Sequence, residues 1–219
     1  GMAEMPVQPR YLLVTGATIW TSGPDGIMEG ADLLVGEGKV IAVGENLEAP
    51  SGAVVIRASG KHITPGLIDA HTHIAVSSPL NESSQAVTAE VRVTDVLDSY
   101  DINIYRQLAG GTTVAHTMHG SANPIGGQNQ VIKLRHGAAP DELKFAKAPA
   151  GIKFALGENV KQSNWGDDKK SRFPQTRMGV RTFFVNRFTA ARHYLDDQKR
   201  NRATGPPVRR NLELEALGE

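Results

Sequence analysis

Two histidines spaced two apart close an apolar run in Gly66-Leu67-Ile68-Asp69-Ala70-His71-Thr72-His73. In a strand, residues i and i+2 face the same way. His71 and His73 therefore project side by side, with Cα atoms about 6.6–7 Å apart. Neutral imidazoles placed like this can converge on one divalent ion such as zinc. Asp69 shares that face and is placed to orient a ligand histidine through its second ring nitrogen. The competing reading is a pair of solvent-facing histidines on an edge strand. The apolar run argues against it, because burying two unpartnered imidazoles is costly.

A second signal lies in Ala150-Gly151-Ile152-Lys153-Phe154-Ala155-Leu156-Gly157-Glu158. A lysine inside an apolar strand is expensive unless it is paired or neutralised. Lys153 either contributes chemistry or snorkels to water from a strand end. By alternation Lys153 and Ala155 share a face. Glu158 falls on the other, from which a loop would still let it reach inward. The third feature is His116-Thr117-Met118-His119-Gly120-Ser121-Ala122-Asn123-Pro124-Ile125-Gly126-Gly127-Gln128. It follows a strand-like run, is rich in glycine and polar side chains, and lacks the pattern of a phosphate loop. His119 and Gln128 are its candidates for substrate contact, a purely structural loop being the alternative.

These residues need elements to hold them. Residues 11–19, 31–35, 39–43 and 53–57 read as short strands, with a hairpin turn at Gly36-Glu37-Gly38 and glycine between the runs. That texture predicts a small β-sandwich or barrel. It changes at Thr64-Pro65-Gly66. Apolar spacing of three and four predicts a helix over 93–108, ended by Gly110-Gly111. Residues 112–118, 130–134 and 152–156 read as strands, 176–199 as a long helix and 211–217 as another. Strand and helix in alternation predict an α/β fold with βαβ units and a parallel sheet.

Composition narrows the function classes. The 219 residues carry 24 basic and 23 acidic side chains, a net charge of +1, so nothing pulls the whole chain toward nucleic acid or an anionic membrane. No apolar run approaches the length of a membrane helix. Cysteine is absent, which excludes thiolate metal sites. Lys199, Arg200, Arg202, Arg209 and Arg210 form a basic run with no interleaved aromatics. Gly205-Pro206-Pro207 breaks it, and it reads as a solvated helix end. Gly1-Met2 reads as a tag scar. The compartment stays open: cytoplasm, or periplasm and exterior after removal of a leader.

Thr64-Pro65-Gly66-Leu67-Ile68-Asp69-Ala70-His71-Thr72-His73, preceded by a glycine-punctuated β-domain, resembles the opening of an amidohydrolase-superfamily enzyme. It is most similar to the branch of imidazolonepropionase-like and prolidase-like proteins. The resemblance follows the whole chain but only the front part of a family member. It implies a small β-sandwich domain over 1–64, completed from the other chain end. It implies the first half of a (β/α)8 barrel over 65–219. His71 and His73 would then sit on the first barrel strand and bind one or two divalent metals, usually zinc. Lys153, on the fourth, would be carboxylated and bridge the metals, with Glu158 as the alternative ligand. The implied reaction is metal-assisted hydrolysis of a carbon–nitrogen bond in a small molecule, a cyclic amide or amidine or a dipeptide-like compound. Arg172-Phe173-Pro174-Gln175-Thr176-Arg177-Met178-Gly179 resembles a segment of the same branch, with no chemistry assigned.

The family takes two more histidines from strands five and six and a general-base aspartate from strand eight. No residue here occupies those places, and His193 lies in a helical stretch. The chain is therefore expected to be an incomplete front half, inactive alone, holding metal weakly or not at all. The alternative is a non-catalytic half-barrel that serves as a binding or assembly module. Open sheet edges need cover, so a homo-oligomer is expected.

Overall fold

The computed structural model describes residues 8–162, 165–166 and 172–218. The chain divides into two units, Gly1–Gly66 and Leu67–Glu219.

The first unit is one mixed sheet among its described residues. Its strands are β1 (Tyr11–Trp20), β2 (Ile27–Gly36), β3 (Lys39–Gly44), β4 (Val54–Arg57) and β5 (His62–Ile63). They run β3-β2-β1-β4, with β5 also on β1. Gly36 faces Lys39 across the β2–β3 hairpin, leaving Glu37 and Gly38 as the turn. Both have positive φ, 50° and 73°, the requirement of a two-residue turn matched to strand twist. Ala17, Ile19, Ala31 and Ala58 form the buried cluster. Asp32 is also buried, and its carboxylate accepts the Gly16 N–H at 2.9 Å and the Leu47 N–H at 3.0 Å. Those bonds offset its desolvation. A sandwich was expected here, and the described residues supply a single sheet. The side chains of Val54, Val55 and Ile56 on β4 stay exposed.

The second unit begins with a βαβ step. β6 (Leu67–Thr72) and β7 (Thr112–Thr117) pair in parallel, joined through α1 (Ile102–Ala109). The expected helix over 93–108 is thus two pieces, a 3-10 turn at Val93–Val96 and α1. Two aspartates break it. Asp98 Oδ1 accepts the Tyr100 N–H at 3.0 Å, and Asp101 caps α1 by accepting the Asn103 N–H at 2.9 Å. Aspartate side chains that capture nearby backbone donors favour turns and caps over helix interiors. The apolar spacing is real nonetheless. Leu97 and Ile104 share one buried cluster with Ala75, Ala115, Ile132, Leu134 and Leu143.

The parallel sheet stops at that pair. β8 (Ile125–Gln128), unforeseen in the sequence, is followed by β9 (Gln130–Lys133), which returns antiparallel to β7. β10 (Ile152–Phe154) pairs antiparallel with β8. A parallel partner needs a crossover of about a dozen residues or more, usually helical. The stretch after β7 instead holds Pro124, Gly126 and Gly127, which suit an extended segment better than a helix. The remaining helices are α2 (Pro140–Leu143), α3 (Arg177–Thr204) and α4 (Leu212–Gly218). Phe183 and Ala191 of α3 and Leu217 of α4 pack with Val87, Ala89 and Ile125. No helix among the described residues is long and apolar enough to cross a membrane.

α4 is tied down by Glu215. Its carboxylate accepts Arg210 Nη2 at 2.5 Å and the Tyr194 hydroxyl at 2.8 Å. The bond from Arg210, helped by that from Tyr194, holds its pKa down at about 2 against an ordinary 4.5. A carboxylate depressed on folding stabilises the fold above its unfolded pKa and loses that contribution as pH falls through the folded one. Docking of α4 should therefore weaken between pH 4.5 and about 2. Amide exchange over α4 measures this, and Glu215→Gln is expected to flatten the dependence.

Candidate functional site

β6 ends in the histidine pair. The β6–β7 register slips between Asp69 and Thr72, and Thr72 then faces Thr117. His71 and His73 are both exposed and β6 is the edge of the β6-β7-β9 order, so the burial expected from the apolar run is not found and the pair faces outward. Their rings meet edge to face with centroids 5.3 Å apart. His73 Nδ1 lies 2.9 Å from the Met118 carbonyl oxygen. A carbonyl only accepts, so Nδ1 carries a proton, and in the neutral ring Nε2 is the nitrogen left with a lone pair. That is the state of a metal-ligating histidine whose other nitrogen is fixed by the backbone.

Lys153, on β10, reaches the same place. Its Nζ lies 3.2 Å from His71 Nε2 and 3.5 Å from the Met118 sulfur. Burial pushes the ammonium below the usual lysine range. The charge of Lys153 pushes His71 below the usual imidazole range, with burial and His73 adding to it and Asp69 opposing. Each shift favours a neutral group, the form in which an imidazole ligates and an amine reacts. Residues 82 positions apart are thus brought into contact.

Two neighbours escaped the sequence reading. Ala115 packs with Ile104 toward α1, so alternation places His116 on the opposite face of β7, with Met118 in the same phase. The register sets His116 beside His71, and its charge bears on the His71 equilibrium. His116 Nε2 is buried without a hydrogen-bond partner among the described residues. The two-residue spacing of His116 and Met118 over 112–118 was the available signal.

The other candidates go elsewhere. Asp69 Oδ1 accepts the backbone N–H of His71 at 3.1 Å, so its recorded bond goes to the main chain while its charge bears on the ring. The Glu158 carboxylate is held by Lys161 at 2.8 Å and Arg177 at 3.1 Å. His119 is only 2% exposed and has both ring nitrogens engaged, Nδ1 with the Gly120 carbonyl and Nε2 with the Glu82 N–H. The Gln128 amide donates to the Ala89 carbonyl at 3.0 Å. His119 is thus spent on main-chain groups, whereas Gln128 is half-buried and commits only its amide nitrogen.

A divalent ion fits the donors present in kind: two imidazoles with one proton position fixed, and an amine drawn toward neutrality. Among the described residues no group of three or more His, Asp or Glu side chains gathers around a common point. A lysine converted to an oxygen donor would enlarge the set.

No family model matches the chain. It is 32% identical over 214 residues to the amidohydrolase tasK of Hapsidospora irregularis, an alignment covering 82% of this chain and 21% of that protein. It is 36% identical over 70 residues to the imidazolonepropionase of Vibrio cholerae, which covers 32% of this chain and 16% of the relative. The solved amidohydrolase of Thermotoga maritima superposes with a TM-score of 0.81 at 34% identity, covering 94% of this chain and 54% of its own. The chain therefore spans about a fifth of the first relative's length and about half of the solved structure's.

Proposed function

The chain belongs to the amidohydrolase superfamily, and from that premise we propose that the protein hydrolyses carbon–nitrogen bonds with a divalent metal held by His71, His73 and Lys153. The observation that carries the reading is the contact of Lys153 with His71, whose ring in turn meets that of His73. His73 offers Nε2 because the Met118 carbonyl holds the proton on Nδ1. Lys153, partly buried and facing an imidazole, is suited to add its amine nitrogen to the carbon of carbon dioxide with loss of one proton. The carbamate formed has two oxygens suited to hard or borderline cations. Zinc is the favoured ion, since imidazole nitrogens and oxygens both suit it. When bound, it supplies Lewis acidity toward a carbonyl oxygen and lowers the pKa of water. The substrate class is a cyclic amide or amidine, or a dipeptide-like compound.

The test is hydrolysis of such compounds by the full-length gene product, before and after chelation and with zinc restored. Loss on chelation and recovery with zinc are expected. Turnover that ignores the chelator would sink the metal reading.

A second reading is favoured by exposed apolar groups on β6, where Leu67 is 60% and Ile68 70% exposed. In it the 219-residue chain is inactive alone and self-associates over that strand. Light scattering on the purified chain tests it, and a stable monomer would count against it.

A further inference from the structure

Three polar side chains between His119 and Gln128 reach the same place, the segment 82–89: His119, Asn123 and Gln128. His119 Nε2 accepts the Glu82 N–H at 2.8 Å. Asn123 Nδ2 donates to the Glu82 carbonyl at 3.0 Å and to the Thr88 hydroxyl at 2.8 Å. Gln128 Nε2 donates to the Ala89 carbonyl at 3.0 Å. Main-chain bonds join Thr88 to Ile125 at 3.0 Å and Gln128 to Val91 at 2.7 Å. His119 and Asn123 are 2% and 0% exposed, while Glu82 itself is exposed. Two buried polar groups are thus spent on holding both backbone groups of one surface residue.

Packing brings the His119 ring close against the backbone of β8. A Cβ on Gly126 would sit 2.7 Å from His119 Nδ1, so the ring fills the space that this glycine leaves. Its bonds also fix its tautomer: Nδ1–H donates to the Gly120 carbonyl at 2.9 Å, and Nε2 can only accept. Met118, the adjacent residue, holds His73 by its carbonyl and touches Lys153 by its sulfur. Two consecutive residues therefore anchor the candidate ligands and the loop that follows the ligand strand.

We propose that His119, seconded by Asn123, is a positioning residue that clamps the Glu82 backbone and holds the loop after β6 as a fixed wall of the substrate site. The proposal rests on the hydrolase reading and assigns His119 no contact with the reacting atoms. It turns the polar motif from a substrate-binding loop into the seat of one.

Two substitutions separate the roles. Glutamine places its amide oxygen near the position of Nε2 and can still accept the Glu82 N–H. Asparagine reaches only as far as Nδ1 and cannot. In the 219-residue chain, the Glu82 amide should exchange slowly in the wild type and in His119→Gln, and fast in His119→Asn. In the full-length protein, His119→Asn should raise KM at least about tenfold with kcat little changed, the scale of one lost buried hydrogen bond. His119→Gln should restore KM. Equal loss of kcat in both variants would place His119 in the chemistry and overturn the clamp. Fast exchange at Glu82 in the wild type would overturn it too, as would a freed amide with unchanged KM. A wild type that hydrolyses nothing overturns the reaction instead, and the wall falls with it.

Discussion

Lys153→Met should reduce kcat/KM of the full-length protein at least about a thousandfold, the scale of losing the group that completes a catalytic metal site. Methionine reproduces the lysine stem as far as Cε and suits the apolar strand around it, so β10 should keep its pairing with β8. What disappears is the amine 3.2 Å from His71 Nε2. The fold should not suffer. Burial lowers the Lys153 pKa, so carrying the charge opposes folding below that folded-state value, and the opposition fades as pH rises through it. Lys153→Met removes both the charge and this dependence. Bound zinc per chain should fall in parallel with activity. Had Lys153 been only a strand-end side chain reaching water, the substitution would leave both readings near the wild type. That result would return the site to a bare histidine pair.

The sequence marks the residues of this site better than it marks their frame. His71 and His73 follow from strand alternation, and Lys153 stands out by its apolar surroundings; all three meet in the structure. The β2–β3 hairpin is legible because Glu37 and Gly38 sit between two clean runs. Other features depend on contacts that no local window contains. α1 is shorter than its apolar spacing because Asp98 and Asp101 redirect backbone donors. β8 is nearly invisible, since Ile125-Gly126-Gly127-Gln128 has little side chain to show a period. Its glycines are there for neighbours far along the chain, His119 against Gly126 and Val91 against Gly127. The same distance hides the fate of His119 and Gln128. A polar residue in a loop looks the same whether it meets a substrate or a main-chain group 37 or 39 positions away.

The second large effect is expected in the core that orients β7. Ile104 is fully buried and is the one residue of α1 that is, within an eight-residue helix. A helix that short has little stability of its own and depends on its docked face. Ile104 supplies that face, packing with Ala115 of β7, Ile132 of β9 and Leu143 of α2. Ile104→Ala removes buried methyl and methylene groups from this cluster, so it should cost about 2–5 kcal/mol. Urea unfolding measures it as a lower midpoint at unchanged slope. Tyr105, the next residue, is 54% exposed. Tyr105→Ala should stay within about 0.5 kcal/mol, as surface substitutions do. A loss below about 1 kcal/mol at Ile104 would mean that α1 does not hold β7 in place. The consequence reaches the site through the pleat. Ala115 turned toward Ile104 is what turns His116 the other way, with Met118 in the same phase, toward His71 and Lys153. Loosening α1 should therefore also speed exchange of the amides at the end of β7 and weaken zinc binding, although Ile104 touches none of the candidate ligands.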